Sequence, residues 1–85
     1  MRLRSGQLSW REFDGESVIL DLAGSKYLAV NETGTVLLKL LVDGCTRDDL
    51  VRALVDGFTI SPQRAGADVD AFVAKLLEKG LIDVE

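Results

Sequence analysis

The spacing of apolar residues changes period at Asn31. Within Lys26–Val30 the pattern alternates: Leu28 and Val30 fall on one face, Tyr27 and Ala29 on the other, as in a β-strand. Beyond Asn31 the period becomes helical. Gly34, Leu37, Leu38 and Leu41 line one face, with Val36 and Leu40 beside them. Thr35 and Lys39 are the clearly polar positions, so a helix over about 32–42 is expected to be buried on most sides. Asn31 suits the joint, because its side-chain oxygen can accept a bond from an unpaired N–H of the first helical turn.

The same reasoning extends in both directions. Residues 1–6 read as a loose polar start. Residues 7–13 read as a strand with Leu8 and Trp10 on one face, and Asp14-Gly15 as a two-residue hairpin turn. Residues 16–22 form the partner strand, with Val18, Leu20 and Leu22 expected to face the core. Ala23-Gly24-Ser25 turns the chain into the third strand, Lys26–Val30, completing an up-down-up meander with sequential strands adjacent. Asp43-Gly44 ends the first helix. Thr46 caps a second, with Asp48 and Asp49 at the positive end of its dipole and a stripe of Leu50, Val51, Leu54, Val55 and Phe58. Ser61-Pro62 is an N-cap followed by proline at the first helical position, predicting a third helix over 62–79. Gly66 weakens its first turns, which leaves Asp68 as an alternative start. Ala65, Val69, Phe72, Val73, Leu76 and Leu77 are its stripe, Gly80 its cap, and Leu81 and Ile82 fold back onto the core. The fold class is α+β: a three-stranded antiparallel meander followed by three α-helices, in a single domain spanning 1–85.

Composition narrows the function. A chain of 85 residues buries only about 60% of its unfolded surface, which favours a shallow groove over a deep enclosed active site. A net charge of −4 argues against nucleic acid and anionic membrane as partners. One cysteine cannot build a disulfide framework, and together with the missing secretory signal and spanning segment it points to the cytoplasm. The absence of histidine removes the commonest general base and metal ligand. Cys45 sits just before a helix start, where a thiol pKa can fall, but it has no imidazole to activate it, and a small residue in a turn is the simpler reading. Asp48/Asp49 and Asp68/Asp70 fit helix-dipole complementarity better than paired acid–base work. No glycine-rich phosphate loop occurs. No catalysis, cofactor or metal site is expected.

A three-stranded meander leaves two open edges, and Lys26–Val30 is one of them. Its unpaired N–H and C=O groups offer a template for another strand, and adjacent apolar helices can supply pockets. Coverage of that edge by the chain's own tail or a dimer mate is the competing reading.

The order and spacing of several short motifs then point to a family. Asn31-x-x-Gly34 opens the first helix and Leu41-x-Asp43-Gly44 closes it. Thr46 precedes an apolar helix, and the tail reads Asp68-Val69-x-x-Phe72-Val73-x-x-Leu76-x-x-x-Gly80-Leu81-Ile82. Over nearly the whole chain this resembles the PqqD-like family, the small domains called RiPP recognition elements. The resemblance implies a winged-helix-like fold of three strands and three helices. It also implies binding of the leader segment of a ribosomally made precursor peptide, added as a strand to the third strand and lying against the third helix.

Carried onto this chain, the backbone of Lys26, Tyr27, Leu28, Ala29 and Val30 pairs with the leader, and Val69, Phe72, Val73 and Leu76 form the helical wall. Tyr27 is left to contact either the leader or a partner enzyme. A short chain with its own Met1 looks like the stand-alone element of lasso-peptide biosynthesis. That element presents the precursor to a leader peptidase of the cysteine protease type and to a cyclase. The rival within the family is the pyrroloquinoline quinone precursor chaperone, which serves a radical SAM enzyme. Outside it stand a winged-helix DNA-binding module, for which Arg64, Lys75 and Lys79 are offset by Asp68, Asp70 and Glu78, and a structural dimer closed through the edge strand.

Overall fold

A computed structural model describes residues 1–4, 8–22, 24 and 26–84. In chain order the elements are β1 (Arg2–Leu3), β2 (Leu8–Phe13), β3 (Glu16–Asp21), β4 (Lys26–Val30), α1 (Glu32–Asp43), α2 (Arg47–Phe58), α3 (Pro62–Glu78) and β5 (Ile82–Asp83). The expected meander is present as an antiparallel sheet of order β2-β3-β4, followed by the three expected helices. Asp14 and Gly15 both take positive φ, 51° and 85°, as a tight hairpin requires. Gln7, Ala23 and Ser25, placed by sequence in the first strand and the second turn, lie outside the described residues, as do Ser5 and Gly6.

Two expectations are corrected. Residues 1–6 do not start loose throughout: β1 pairs antiparallel with β5, Arg2 opposite Asp83 and Leu3 opposite Ile82. Arg4 extends the contact, its N–H donating to the Leu81 carbonyl at 2.8 Å and its guanidinium pairing with Asp83 at 2.9 Å. A pair of two-residue strands carries no readable periodicity. Second, β3 turns the other face inward. Register sets Ser17 opposite Val30 and Ile19 opposite Leu28, and all four are buried, whereas Leu20 and Leu22 are exposed and Val18 is half-buried.

Counting apolar residues favours the wrong face of β3, because the inward set includes a serine. Its hydroxyl is satisfied: Ser17 Oγ lies 2.7 Å from Thr35 Oγ1, and Thr35 Oγ1 lies 2.9 Å from the Asn31 carbonyl. A carbonyl can only accept, so Thr35 donates to Asn31 and Ser17 donates to Thr35.

Helix α1 is the hub. Leu37, Leu38 and Leu41 are buried, each stabilising the fold by about 1.5–3 kcal/mol, and the helix touches β1, β3, β4 and α2. Asn31 caps it as expected, accepting from the Gly34 N–H at 2.9 Å. Gly34 is required by close approach: a Cβ there would run into Val30 Cγ1 and sit 3.1 Å from the Phe72 ring. In α2, Thr46 and Asp49 form a reciprocal capping box. That helix ends at Thr59 in the left-handed region at φ 53°, an unusual place for a β-branched residue.

Helix α3 begins at Pro62 under a Ser61 cap, not at Asp68. Gly66 leaves clearance for the Arg47 guanidinium, which reaches across from α2 to Asp70 at 2.7 Å. Its C-terminus is a Schellman turn: the Gly80 N–H donates to Leu77 O and the Leu81 N–H to Leu76 O, with Gly80 at φ 69°. This reversal buries Leu81 and Ile82, as the sequence predicts.

Candidate functional site

Strand β4 has β3 on one side only, and no strand pairs with its other edge among the described residues. In an antiparallel ladder alternate residues point their N–H and C=O toward opposite edges, so half the backbone groups of β4 have no ladder partner. Helix α3 runs alongside. It packs on α2 and β5; its Lys79 lines a cleft with the start of β4, and its outer face lines a second hollow against the start of α1, just past the end of β4.

The two hollows bracket β4 and mark the two ends of the candidate groove. Near the start of β4 a shallow cleft has an apolar floor of Ile19, Leu28 and Leu81, rimmed by Lys26, Lys79 and Asp21. Near its end a hollow of about 450 Å³ lies over Gly34, Leu37, Leu54, Ala71 and Phe72, rimmed by Arg64, Lys75 and Asp68. The α3 residues Arg64, Asp68, Ala71, Phe72, Lys75 and Lys79 recur at three and four positions, so one face of the helix supplies the whole wall.

The predicted site residues are therefore sorted. Lys26–Val30 forms the open edge. Leu28 and Val30 turn inward and are buried, while Tyr27, 71% exposed, and Ala29 stand on the outer face of the sheet. Phe72 is half-buried and lines the hollow. Val69 and Leu76 do not form the wall surface: both are 0% exposed, wholly enclosed in the core, and hold α3 from behind. Val73 is half-buried against the core and lines neither end of the groove.

Sequence reasoning missed Ala71 as a groove residue and weighed Arg64, Asp68, Lys75 and Lys79 only as a charge sum. The readable signal was the polar set flanking the apolar stripe at helical spacing. Asp70, counted with them, faces away and is held by Arg47.

The outer face of the sheet is also apolar. Register places Leu20 beside Tyr27 and Val18 beside Ala29, and Phe13 and Leu22 are exposed nearby.

The candidate reactive groups have structural employment. The Cys45 thiol pKa is raised, first by burial and then by Asp49, with the amino terminus offsetting part of this. That is the opposite of thiolate activation at a helix start. Asp49 is held below the ordinary carboxylate range by its capping bonds with Thr46, and Asp70 by its bond from Arg47. Among the described residues no cluster of metal-ligating side chains occurs, and no helix is long and apolar enough to cross a membrane.

Comparison with known proteins gives a consistent likeness. Residues 16–82 match the family model described as coenzyme PQQ synthesis protein D (PqqD). Two solved structures resemble the chain over nearly its full length. One is described as TbiB1 in complex with the TbiA(beta) leader peptide: TM-score 0.87, 22% identity, covering 100% of this chain and 98% of that one. The other is described as lasso peptide synthetase B1 complexed with the leader peptide: TM-score 0.80, 29% identity, covering 94% and 93%. No curated relative matches the chain.

Proposed function

This chain belongs to the PqqD family, and from that premise we propose that it is a non-catalytic adaptor for the leader segment of a ribosomally synthesised precursor peptide. The leader adds as a strand to the free edge of Lys26–Val30 and lays alternate side chains into the groove against α3. Main-chain bonds hold it; the floor around Phe72 and Leu28 selects it. The observation that carries this reading is the open β4 edge, with an apolar-floored cleft at its start and the Phe72 hollow just past its end. The leader-peptide complex of a lasso peptide synthetase B1, 29% identical and alike in fold, supports a lasso-type precursor. In that role the protein presents its guest in the cytoplasm to a leader peptidase of the cysteine protease type and to a cyclase. The description of the matching family supports a second reading within the same mechanism, a chaperone for the pyrroloquinoline quinone precursor serving a radical SAM enzyme.

Duplex DNA fits the geometry poorly. Arg64 and Lys75 line a concave hollow against α1 and Lys79 a cleft beside β4, whereas a recognition helix must project its basic face into the major groove.

The test is hydrogen exchange with synthetic leader peptides, starting with the TbiA(beta) leader and a pyrroloquinoline quinone precursor. A binding leader protects one alternate set of amides in Lys26–Val30. Ala71→Trp fills the hollow from an exposed position and weakens binding without lowering the melting temperature. Binding that leaves β4 amides unprotected, or no binding by either leader class, overturns the reading.

A further inference from the structure

The chain is acidic overall, yet its groove is not. At the β4 start, Lys26 and Lys79 face one carboxylate, Asp21, which already accepts from the Gly24 N–H at 3.1 Å. At the other end, Arg64 and Lys75 face one carboxylate, Asp68, which stands 4.0 Å from Arg64. Among the described residues Lys26, Lys75 and Lys79 form no ion pair. Each end thus carries two cations against one carboxylate, on a molecule of net charge −4.

We propose that the groove selects an anionic peptide, with one carboxylate near each end of the strand-paired segment and apolar side chains between. This deepens the strand-addition reading and rests on it. The five residues of β4 span about 13 Å at a strand's rise of ~3.3 Å per residue, with one hollow at the start of the strand and the other just past its end. Side chains on one face of an added strand recur every second residue, so two acidic residues about four positions apart reach both ends from the same face. At physiological salt the screening length is about 8 Å, shorter than the ~22 Å from Arg64 to Lys79 along α3 but longer than the ~6 Å from Lys75 to Lys79. The outer cations therefore each read a nearby carboxylate while Lys75 is felt from both ends, and the position of the charges matters as well as their sum. Such partly exposed pairs each change affinity by about 2–5-fold, which sets selectivity and on-rate more than affinity.

Random peptides displayed at single copy are panned against the folded protein, and enriched peptides are synthesised and located by hydrogen exchange. Peptides that protect β4 are expected to carry Asp or Glu about four positions apart, with an apolar residue midway between them on the same face. Each Glu→Gln or Asp→Asn change costs about 2–5-fold in Kd, and the preference weakens as salt is raised. Lys75→Glu, at an exposed position, reverses the preference at one bracket, favouring a peptide with lysine there; Lys26→Glu does the same at the other. Peptides that protect β4 equally well with neutral or basic brackets overturn this inference and leave strand addition standing. Enrichment of peptides that leave β4 unprotected overturns strand addition, and this inference with it.

Discussion

The two flanks of Val30 teach different lessons. On one side, where α1 meets β3, the polar groups are paired and the packing has no slack: Asn31 caps Gly34, Thr35 bonds to Asn31 and Ser17, and Gly34 leaves no room for a methyl. On the other side, a hollow over Phe72 is open against α3 and the β4 backbone edge has no strand partner among the described residues. Gly34 and Phe72 belong to both regions. The closed hub fixes the position of the open groove, so binding need not cost ordering of the walls. Mutations should separate the two regions cleanly, except at the residues they share.

The sharpest separation is between Leu38 and the groove rim. Leu38 is wholly enclosed under α1 and reaches no groove wall. Leu38→Ala is expected to destabilise the protein by about 2–5 kcal/mol. Against a total stability of about 5–15 kcal/mol that is a large fraction, and urea denaturation will show it as a lowered midpoint. Lys75→Glu should leave the same midpoint within about 0.5 kcal/mol of wild type, as expected of an exposed surface substitution. Equal losses from the two would mean that the groove is not separable from the core.

The hub's polar relay comes next. Thr35→Val keeps the shape but leaves the Ser17 hydroxyl buried without its acceptor, at a cost of about 1–3 kcal/mol. Adding Ser17→Ala removes the stranded group, so the double variant should be more stable than Thr35→Val alone. Failure of the second change to recover stability would show that the serine finds another partner.

Gly34→Ala tests the shared ground. Overpacking against Val30 and Phe72 costs about 1–3 kcal/mol, and the better helix propensity of alanine returns up to ~1 kcal/mol. The small net loss should come with a disproportionate loss of peptide binding, because the Phe72 ring gives way into the hollow. Calorimetry of unfolding and of peptide titration on the same sample distinguishes this from simple destabilisation.

These cases show what was legible in the chain and why. The joint at Asn31, the Thr46 and Ser61 caps and the Gly80 reversal were readable, because each is a local contest between a side chain and the backbone groups beside it. The open β4 edge was readable too, since a three-stranded meander must have two. The inward face of β3 was not, because the choice turns on Ser17 finding Thr35, eighteen residues away. The same holds for the groove wall. Helical spacing marks Val69, Phe72, Val73 and Leu76 as one stripe, but which part meets the core and which meets the gap depends on how α2 and β4 flank α3. Charge suffered likewise: Asp70 cancels Lys75 in a sum, yet in space it belongs to Arg47 on another side of the helix.

That separation of charges yields the smallest effect, and it is one of pH. The Arg47 hydrogen bond holds the Asp70 carboxyl below the ordinary carboxylate range, and Thr46 does the same for Asp49. A carboxyl whose pKa is lower folded than unfolded stabilises the fold above its unfolded value, near 3.9, and loses that contribution as pH falls through the folded value. Asp70→Asn should therefore be less stable than wild type at neutral pH, with the gap closing below about pH 4. Both partners are solvent-exposed, so the gap should be modest and should shrink further in salt. Urea midpoints measured down the acid limb will show whether the two profiles converge. Because Asp70 lies outside the groove, the same variant should bind an acidic peptide as wild type does, with no change in salt dependence. A gain in affinity for that peptide would mean that the α3 charges act as a pooled field, and that the two ends of the groove do not read their carboxylates separately.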